Sequence, residues 1–312
     1  MNPKVGIIGT GSVGVRYAYA LMIKGCARSI VLIDADKKRA EGEAMDLSHG
    51  MPFIAPVEIV AGEYPDLKES DLVVITAGKK QKPGQTRLEL VKDNVAIFKE
   101  IVPGVVKYAP QAVIMVATNP VDVLSYAAYK ISGKPWSAVI GSGTVLDSAR
   151  FRFLLGRHCN IDTRNVHAYV LGEHGDSEFA VWSKAMFGGL LLNEYCPLCG
   201  NCPDRGDLKR VFEDVRDSAY KIIERKGETS YGIGLAMARI TEAILKDENS
   251  ILPVSTLIND YYGVNDVYLS LPCVVNSHGV REQLKLKLDD AETDNLRRSA
   301  AVIAETIKQA GL

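Results

Sequence analysis

Gly9-Thr10-Gly11-Ser12-Val13-Gly14 is the stretch on which the fold turns. Alone, glycines at this spacing mean little. Here they follow the apolar run Val5-Gly6-Ile7-Ile8, open a helix expected over 12–24, and precede a second apolar run, Ile30-Val31-Leu32-Ile33, that ends in Asp34. Strand, glycine turn, helix and a second strand closing on an acid form the dinucleotide-binding fingerprint. Gly9, Gly11 and Gly14 permit a tight turn and close backbone approach, so a pyrophosphate meets Ser12 and Val13 at the positive end of the helix. Asp34 would accept hydrogen bonds from the adenosine ribose hydroxyls and repel a 2'-phosphate, favouring NAD over NADP as the cofactor. Lys37, Lys38 and Arg39, close behind it, weigh the other way.

Outward from this turn, short apolar runs alternate with amphipathic segments. Strands are expected over 5–8, 30–33, 57–60, 72–76 and 112–117, and helices over 12–24, 37–47 and 86–108, the last with Pro103 as a place to bend. Such alternation implies a parallel sheet covered on both faces. After Ile140-Gly141-Ser142-Gly143 the texture changes. Helices are expected over 145–157, 207–225, 231–245 and 290–309, and the runs 251–257 and 267–275 look antiparallel. The fold class is therefore α/β: a Rossmann doubly wound parallel sheet over 1–141, followed by an α+β substrate and catalytic domain over 142–312.

The chain has 312 residues, a net charge of -1, 47% hydrophobic and 24% charged residues, as expected of a water-soluble globular protein. The charge balance argues against nucleic acid or an anionic membrane as main partner, and no apolar run approaches the roughly 18 residues that span a bilayer. Three spaced glycines interrupt what could pass for an N-terminal signal, so a cytoplasmic location is expected. Six cysteines in such a length do not make a disulfide scaffold.

Three further stretches carry chemistry. Gly172-Glu173-His174-Gly175-Asp176-Ser177-Glu178 follows the apolar run Ala168-Tyr169-Val170-Leu171, so a strand delivers a histidine to a turn between two glycines. Histidine exchanges protons near neutral pH; the alternative is a turn histidine with no task. Ala77-Gly78-Lys79-Lys80-Gln81-Lys82-Pro83-Gly84-Gln85-Thr86-Arg87-Leu88 is a basic, Gly- and Pro-punctuated segment beyond a strand's end. It reads either as a lid that brings Arg87 inward or as a solvated loop. In Gly143-Thr144-Val145-Leu146-Asp147-Ser148-Ala149-Arg150-Phe151-Arg152, Asp147 and Arg150 share a helix face. They could orient an imidazole and grip a carboxylate, or form a surface ion pair of little weight.

With Thr118-Asn119-Pro120 and Lys226-Gly227-Glu228-Thr229-Ser230-Tyr231-Gly232, these stretches resemble those of the lactate/malate dehydrogenase family, in its order and spacing over essentially the whole chain. The resemblance implies reversible hydride transfer between NADH and pyruvate, with L-lactate as the product. It makes His174 the acid/base and Asp147 its carboxylate partner. Arg150 becomes the residue that binds the substrate carboxylate, Arg87 the lid arginine that polarises the carbonyl, and Asn119 and Thr229 further pocket contacts. Lactate-type members tend to carry glutamine at the position of Gln81 and malate-type members arginine. The physics agrees, because a second carboxylate would be desolvated without a counter-charge. A malate or other 2-hydroxy acid enzyme is the alternative, through Lys80 or Lys82. A cofactor-binding redox sensor without catalysis is a more distant one.

The resemblance also implies regulation. Arg152 and His167 match the positions that bind fructose 1,6-bisphosphate between subunits in allosteric bacterial members, which brings a homotetramer with it. Two features depart from the family pattern. Glu228 stands where a small residue usually precedes the threonine. Cys196-Pro197-Leu198-Cys199-Gly200-Asn201-Cys202 has metal-ligand spacing but no evident fourth ligand, so thiols in a variable loop are expected and no metal site.

Overall fold

In the computed structural model of the protein, residues 3–79, 86–199 and 206–312 are described. The first half builds β1 (Lys4–Ile8), α1 (Ser12–Lys24), β2 (Ser29–Ile33), α2 (Lys37–His49), β3 (Glu58–Ala61), β4 (Leu72–Ile75), α3 (Arg87–Tyr108), β5 (Val113–Val116), α4 (Val121–Ser132) and β6 (Val139–Gly141). The six strands are parallel in the order β3-β2-β1-β4-β5-β6. The order reverses direction between β1 and β4, which is where the glycine turn lies and where such sheets take their ligands. Residues of β1, β2, β4 and β5 are almost wholly buried, as strands covered on both faces must be.

The second half adds α5 (Val145–Cys159), β7 (Val166–His167), β8 (Val170–Leu171), β9 (Phe179–Ala180), β10 (Met186–Phe187), β11 (Leu190–Leu191), α6 (Leu192–Cys199), α7 (Gly206–Lys226), α8 (Tyr231–Leu245), β12 (Ser250–Ile258), β13 (Val267–Asn276), β14 (Gly279–Gln283) and α9 (Asp290–Ala310). The Rossmann and α+β layout expected from the sequence is the one observed, with one addition. β12 pairs antiparallel with β6 through Ser255 and Gly141, and β13 and β14 follow, so one nine-stranded sheet runs through both halves. Contact at that junction is close: a Cβ on Gly141 would lie 2.6 Å from the Ser125 hydroxyl and 2.8 Å from Ser255 Cβ.

Helices close the same seam. α8 packs on α1 where Gly234 lies against the Arg16 and Tyr17 backbone, and the buried Tyr17 and Thr241 hydroxyls share a hydrogen bond of 2.6 Å. A second apolar cluster gathers Phe151, Leu155, Val166, Phe187 and Val215 under α5, β7, β10 and α7. Among the described residues, no helix is long and apolar enough to cross a membrane.

Candidate active site

The dinucleotide turn has the geometry its glycines foretell. Gly9 has φ +106°, and a Cβ there would meet the Ala77 nitrogen at 2.5 Å; a Cβ on Gly14 would lie 2.0 Å from the Gly9 carbonyl oxygen. Gly11 differs, since a Cβ there meets nothing within 4 Å. That open space faces the start of α1, where Gly11 is the N-cap and no side chain caps the helix. The first-turn amides at Ser12, Val13 and Gly14 are thus left to an incoming anion.

Asp34 Oδ2 accepts from the Thr10 amide (2.6 Å) and hydroxyl (2.9 Å), and Oδ1 from the Asp36 amide (3.0 Å). Burial opposes its charge, but these donors outweigh it and hold the carboxyl below its ordinary range. Asp34 therefore ties down the glycine turn, from the end of the second strand, where the fingerprint expects its acid. Of the basic residues behind it, Lys37 is paired with Glu63 and Arg39 lies 4.0 Å from Glu43. An anionic Asp34, an unobstructed Gly11 and an uncapped helix fit a dinucleotide without a 2'-phosphate.

Beyond the sheet's carboxyl edge, two local structures meet. α5 starts where the Thr144 amide donates to Ser270 Oγ at 3.1 Å and its hydroxyl donates to the Val170 carbonyl. Asp147 in the first turn is a favourable place for a carboxylate, and Arg150 follows on the same face. The β8–β9 hairpin carries the other part. Gly172, at φ +91°, turns the chain out of β8, and the Glu173 amide is held by Ser299 of α9 at 2.7 Å. The His174 amide donates to Asp122 Oδ2 at 2.8 Å.

These anchors bring three predicted residues together. His174 Nδ1 lies 2.6 Å from Asp147 Oδ2, and Arg150 Nη1 lies 2.8 Å from Asp147 Oδ1. Asp147 is 3% exposed, Arg150 14% and His174 23%, so the pair is shielded while the imidazole keeps a face open. Burial alone would depress His174, yet the charges of Asp147, Glu178 and Asp122 raise it from 6.5 to about 9. Burial likewise opposes ionisation of Asp147, but His174 and Arg150 hold its carboxyl below the usual range. An imidazolium and a guanidinium thus share one buried carboxylate.

Two functional candidates escaped the sequence reading. Asp122 is buried at the start of α4, accepting from Ser255 Oγ (2.6 Å) as well as from His174; burial pushes it up to about 7. Glu178 is 6% exposed, and it forms a group with Asp147 and His174 in which one carboxylate oxygen of each acid and a ring nitrogen of the histidine lie within 4.8 Å of one another. Burial and the Asp147 charge push it well above the ordinary carboxylate range. A lone acid among apolar neighbours was the signal in Val121-Asp122-Val123. Glu178 gave none beyond its closeness to His174.

The remaining predicted residues are placed as follows. Asn119 is exposed after β5, and its carbonyl accepts from Asn94, which also holds the Lys79 amide. Thr229 is half-buried between α7 and α8. Its neighbour Glu228 pairs with Arg16 of α1 at 3.3 Å and accepts from Ser230 Oγ, so the departure from the family pattern has a local counter-charge. Arg87 is the first residue of α3, behind the Thr86–Glu89 capping box; Lys80, Gln81, Lys82 and the Arg87 side chain lie outside the described residues. Arg152 Nε donates to the Val166 carbonyl at 2.6 Å, beside the exposed His167. The cysteine stretch corrects one expectation: residues 192–199 form a helix rather than a loop, with Cys196 within it. The Cys199 side chain and Cys202 lie outside the described residues.

Comparison with known proteins agrees with this geometry. The pattern of the lactate/malate dehydrogenase NAD binding domain matches residues 3–141, and that of the family's alpha/beta C-terminal domain matches 144–311. The chain belongs to the lactate/malate dehydrogenase family. Its first half is accordingly the family's NAD-binding domain. Among relatives, the L-lactate dehydrogenase of Thermoanaerobacterium saccharolyticum is 53% identical over 306 residues, covering 98% of each chain. L-lactate dehydrogenase 1 of Clostridium acetobutylicum is 52% identical over 308 residues, again 98% of each. A crystal structure of a lactate dehydrogenase from a Medee basin deep-sea metagenome library superposes with a TM-score of 0.97 at 47% identity, covering 100% of this chain and 99% of that one. The ligand-bound minor L-lactate dehydrogenase of Enterococcus mundtii gives 0.96 at 42% identity, covering 98% of both.

Proposed function

We propose that the protein is an NAD-dependent L-lactate dehydrogenase that interconverts pyruvate and L-lactate. The observation that carries this reading is the shielded Asp147 carboxylate shared between His174 (2.6 Å) and Arg150 (2.8 Å). A proton donor and a carboxylate clamp stand side by side in a chain that also holds a dinucleotide turn. The identity to L-lactate dehydrogenases over nearly the full length supports it.

With Nδ1 committed to Asp147, the Nε2 side of His174 serves the substrate. It gives its proton to the C2 oxygen as pyruvate is reduced and recovers it as lactate is oxidised. NADH supplies the hydride when bound. Arg150 gives one N–H to Asp147 and presents the rest of its planar fork to the substrate carboxylate. Asp147 fixes the ring and favours its protonated form. By resemblance to the family, Arg87 polarises the carbonyl, Asn119 and Thr229 line the pocket, and the neutral Gln81 faces the substrate methyl. Gly9, Gly11, Ser12, Val13, Gly14, Asp34 and Asn119 hold the cofactor.

The same reading extends to regulation: Arg152 and His167 bind fructose 1,6-bisphosphate between subunits of a cytoplasmic homotetramer. In support, Arg152 is anchored to the carbonyl of the residue before the exposed His167. The test is NADH oxidation with pyruvate and separately with oxaloacetate, each with and without the bisphosphate. Preference for pyruvate, sharpened by the bisphosphate, is expected. Preference for oxaloacetate overturns the lactate assignment, and indifference to the bisphosphate removes the regulatory site alone.

A further inference from the structure

Glu178 is a buried acid that the reaction just described leaves without a task. The turn closed by the Glu178 amide on the Gly175 carbonyl (3.1 Å) folds it back beside His174, and β9 begins at the next residue. Its carboxyl completes the group with Asp147 and His174, with one oxygen of each acid and a ring nitrogen of the histidine within 4.8 Å of one another. On that side the charges facing it are Asp147, His174, Arg150 and Glu173. On the other, a cavity of about 260 Å³ brings Asp176 of its own turn, Arg216 of α7, and Asp289, Glu292 and Arg298 at or in α9. Glu292 is engaged by Ser183 through both carboxylate oxygens. A buried acid at such a distance from a carboxylate and an imidazolium cannot change its charge without shifting the pH at which they change theirs.

We propose that Glu178 is a positioning residue for the reaction's proton, setting through space the pH range over which His174 stays protonated. Near neutral pH it is the uncharged acid, because burial and the neighbouring Asp147 charge both disfavour its anion. The cluster then holds one carboxylate against the imidazolium. As pH rises, ionisation of Glu178 places a second negative charge within about 5 Å of the ring and makes its proton harder to remove. Pyruvate reduction thereby persists further into alkali, and lactate oxidation, which needs the neutral ring, starts later. Glu178 touches no reacting atom in this scheme.

The inference rests on the lactate dehydrogenase reading, and the experiment separates the two. kcat/KM is measured against pH in both directions for the wild type and for Glu178→Gln, which keeps the shape and cannot ionise. The alkaline limb for pyruvate and the acid limb for lactate should both move down by about one pH unit, so the loss in pyruvate reduction at pH 9 exceeds that at pH 6 by fivefold or more. Equal loss at every pH, unmoved limbs or an upward shift each overturn the proposal. If Glu178→Gln is too unstable, Glu178→Met carries the same expectation. A wild type that turns over no pyruvate sinks the functional reading instead. Titration of ¹⁵N-labelled His174 in variant and wild type then decides the Glu178 question by the same downward shift or its absence.

Discussion

Asp122 accepts the main-chain N–H of His174 at 2.8 Å, so α4 of the NAD-binding half fixes the β8–β9 loop of the other half. Its second oxygen takes the Ser255 hydroxyl of β12, the strand that pairs with β6. One buried carboxyl therefore joins the seam of the sheet to the proposed acid/base, His174. Asp122→Ala should strand two buried donors and cost about 2–4 kcal/mol of stability, with a fall in kcat larger than any change in NADH affinity. Asp122→Asn keeps an acceptor for the amide and should lose half of that or less. Chemical denaturation and NADH titration of the two variants check the difference.

The glycine turn separates a packing requirement from a binding requirement. Gly11→Ala meets no protein atom and should leave the melting temperature nearly unchanged while weakening NADH binding tenfold or more, because the new methyl occupies the space before the α1 amides. Gly14→Ala drives a carbon into the Gly9 carbonyl and should lower the melting temperature by several degrees as well as abolish binding. Thermal melts run beside fluorescence titrations with NADH distinguish the two. Equal destabilisation by both would show that Gly11 is a packing residue too.

The Asp147–His174 pair also has a signature in pH. Because His174 is raised in the fold from 6.5 to about 9, its contribution to stability is complete below about pH 6.5 and lost as pH rises through about 9. Asp147→Asn removes the largest cause of the rise. The melting-temperature gap between wild type and variant should be widest below pH 6.5 and narrow by pH 10. Pyruvate reduction at pH 8 should fall a hundredfold or more, since the ring then carries no proton to give and has lost its orienting partner.

What the sequence made legible, and what it hid, follows from burial. The glycine turn was readable because backbone contact at Gly9 and Gly14 imposes residue identity. The helices α1, α5, α7, α8 and α9 were readable because apolar stripes or capping residues mark them. Helix α4 was passed over, since Val121 to Ala128 is buried without a break and a helix covered all round has no stripe. Strand β6 has only three residues, too few for any period, yet it carries the sheet across the seam. Helix α6, expected as a loop, contains Pro197, a residue that disfavours a helix interior. In the site, Asp147, Arg150 and His174 were legible as residue types at helix and turn positions. Asp122 and Glu178 were not, because a sequence does not show which acids are buried.

Glu228 tests whether a departure from the family pattern alters chemistry. Its carboxylate lies next to Thr229, where an uncompensated negative charge would repel the substrate carboxylate. Arg16 on α1 meets it at 3.3 Å, and Arg16 itself lies over the Tyr231 ring at 5.7 Å, so the ion pair bridges the cofactor helix and the start of α8. Both partners are partly exposed, 34% and 25%, and the pair should contribute less than about 1 kcal/mol to stability. The two truncations then differ in kind. Glu228→Ala removes the charge together with its partner's purpose, and KM for pyruvate should stay within about twofold. Arg16→Ala releases the carboxylate beside the pocket, and KM should rise severalfold with kcat less affected, the more so at low salt, where screening is weaker. The double variant should return to the Glu228→Ala value. If Arg16→Ala instead lowers kcat and leaves KM alone, the pair acts on the placement of α1 and not on the charge that the substrate meets.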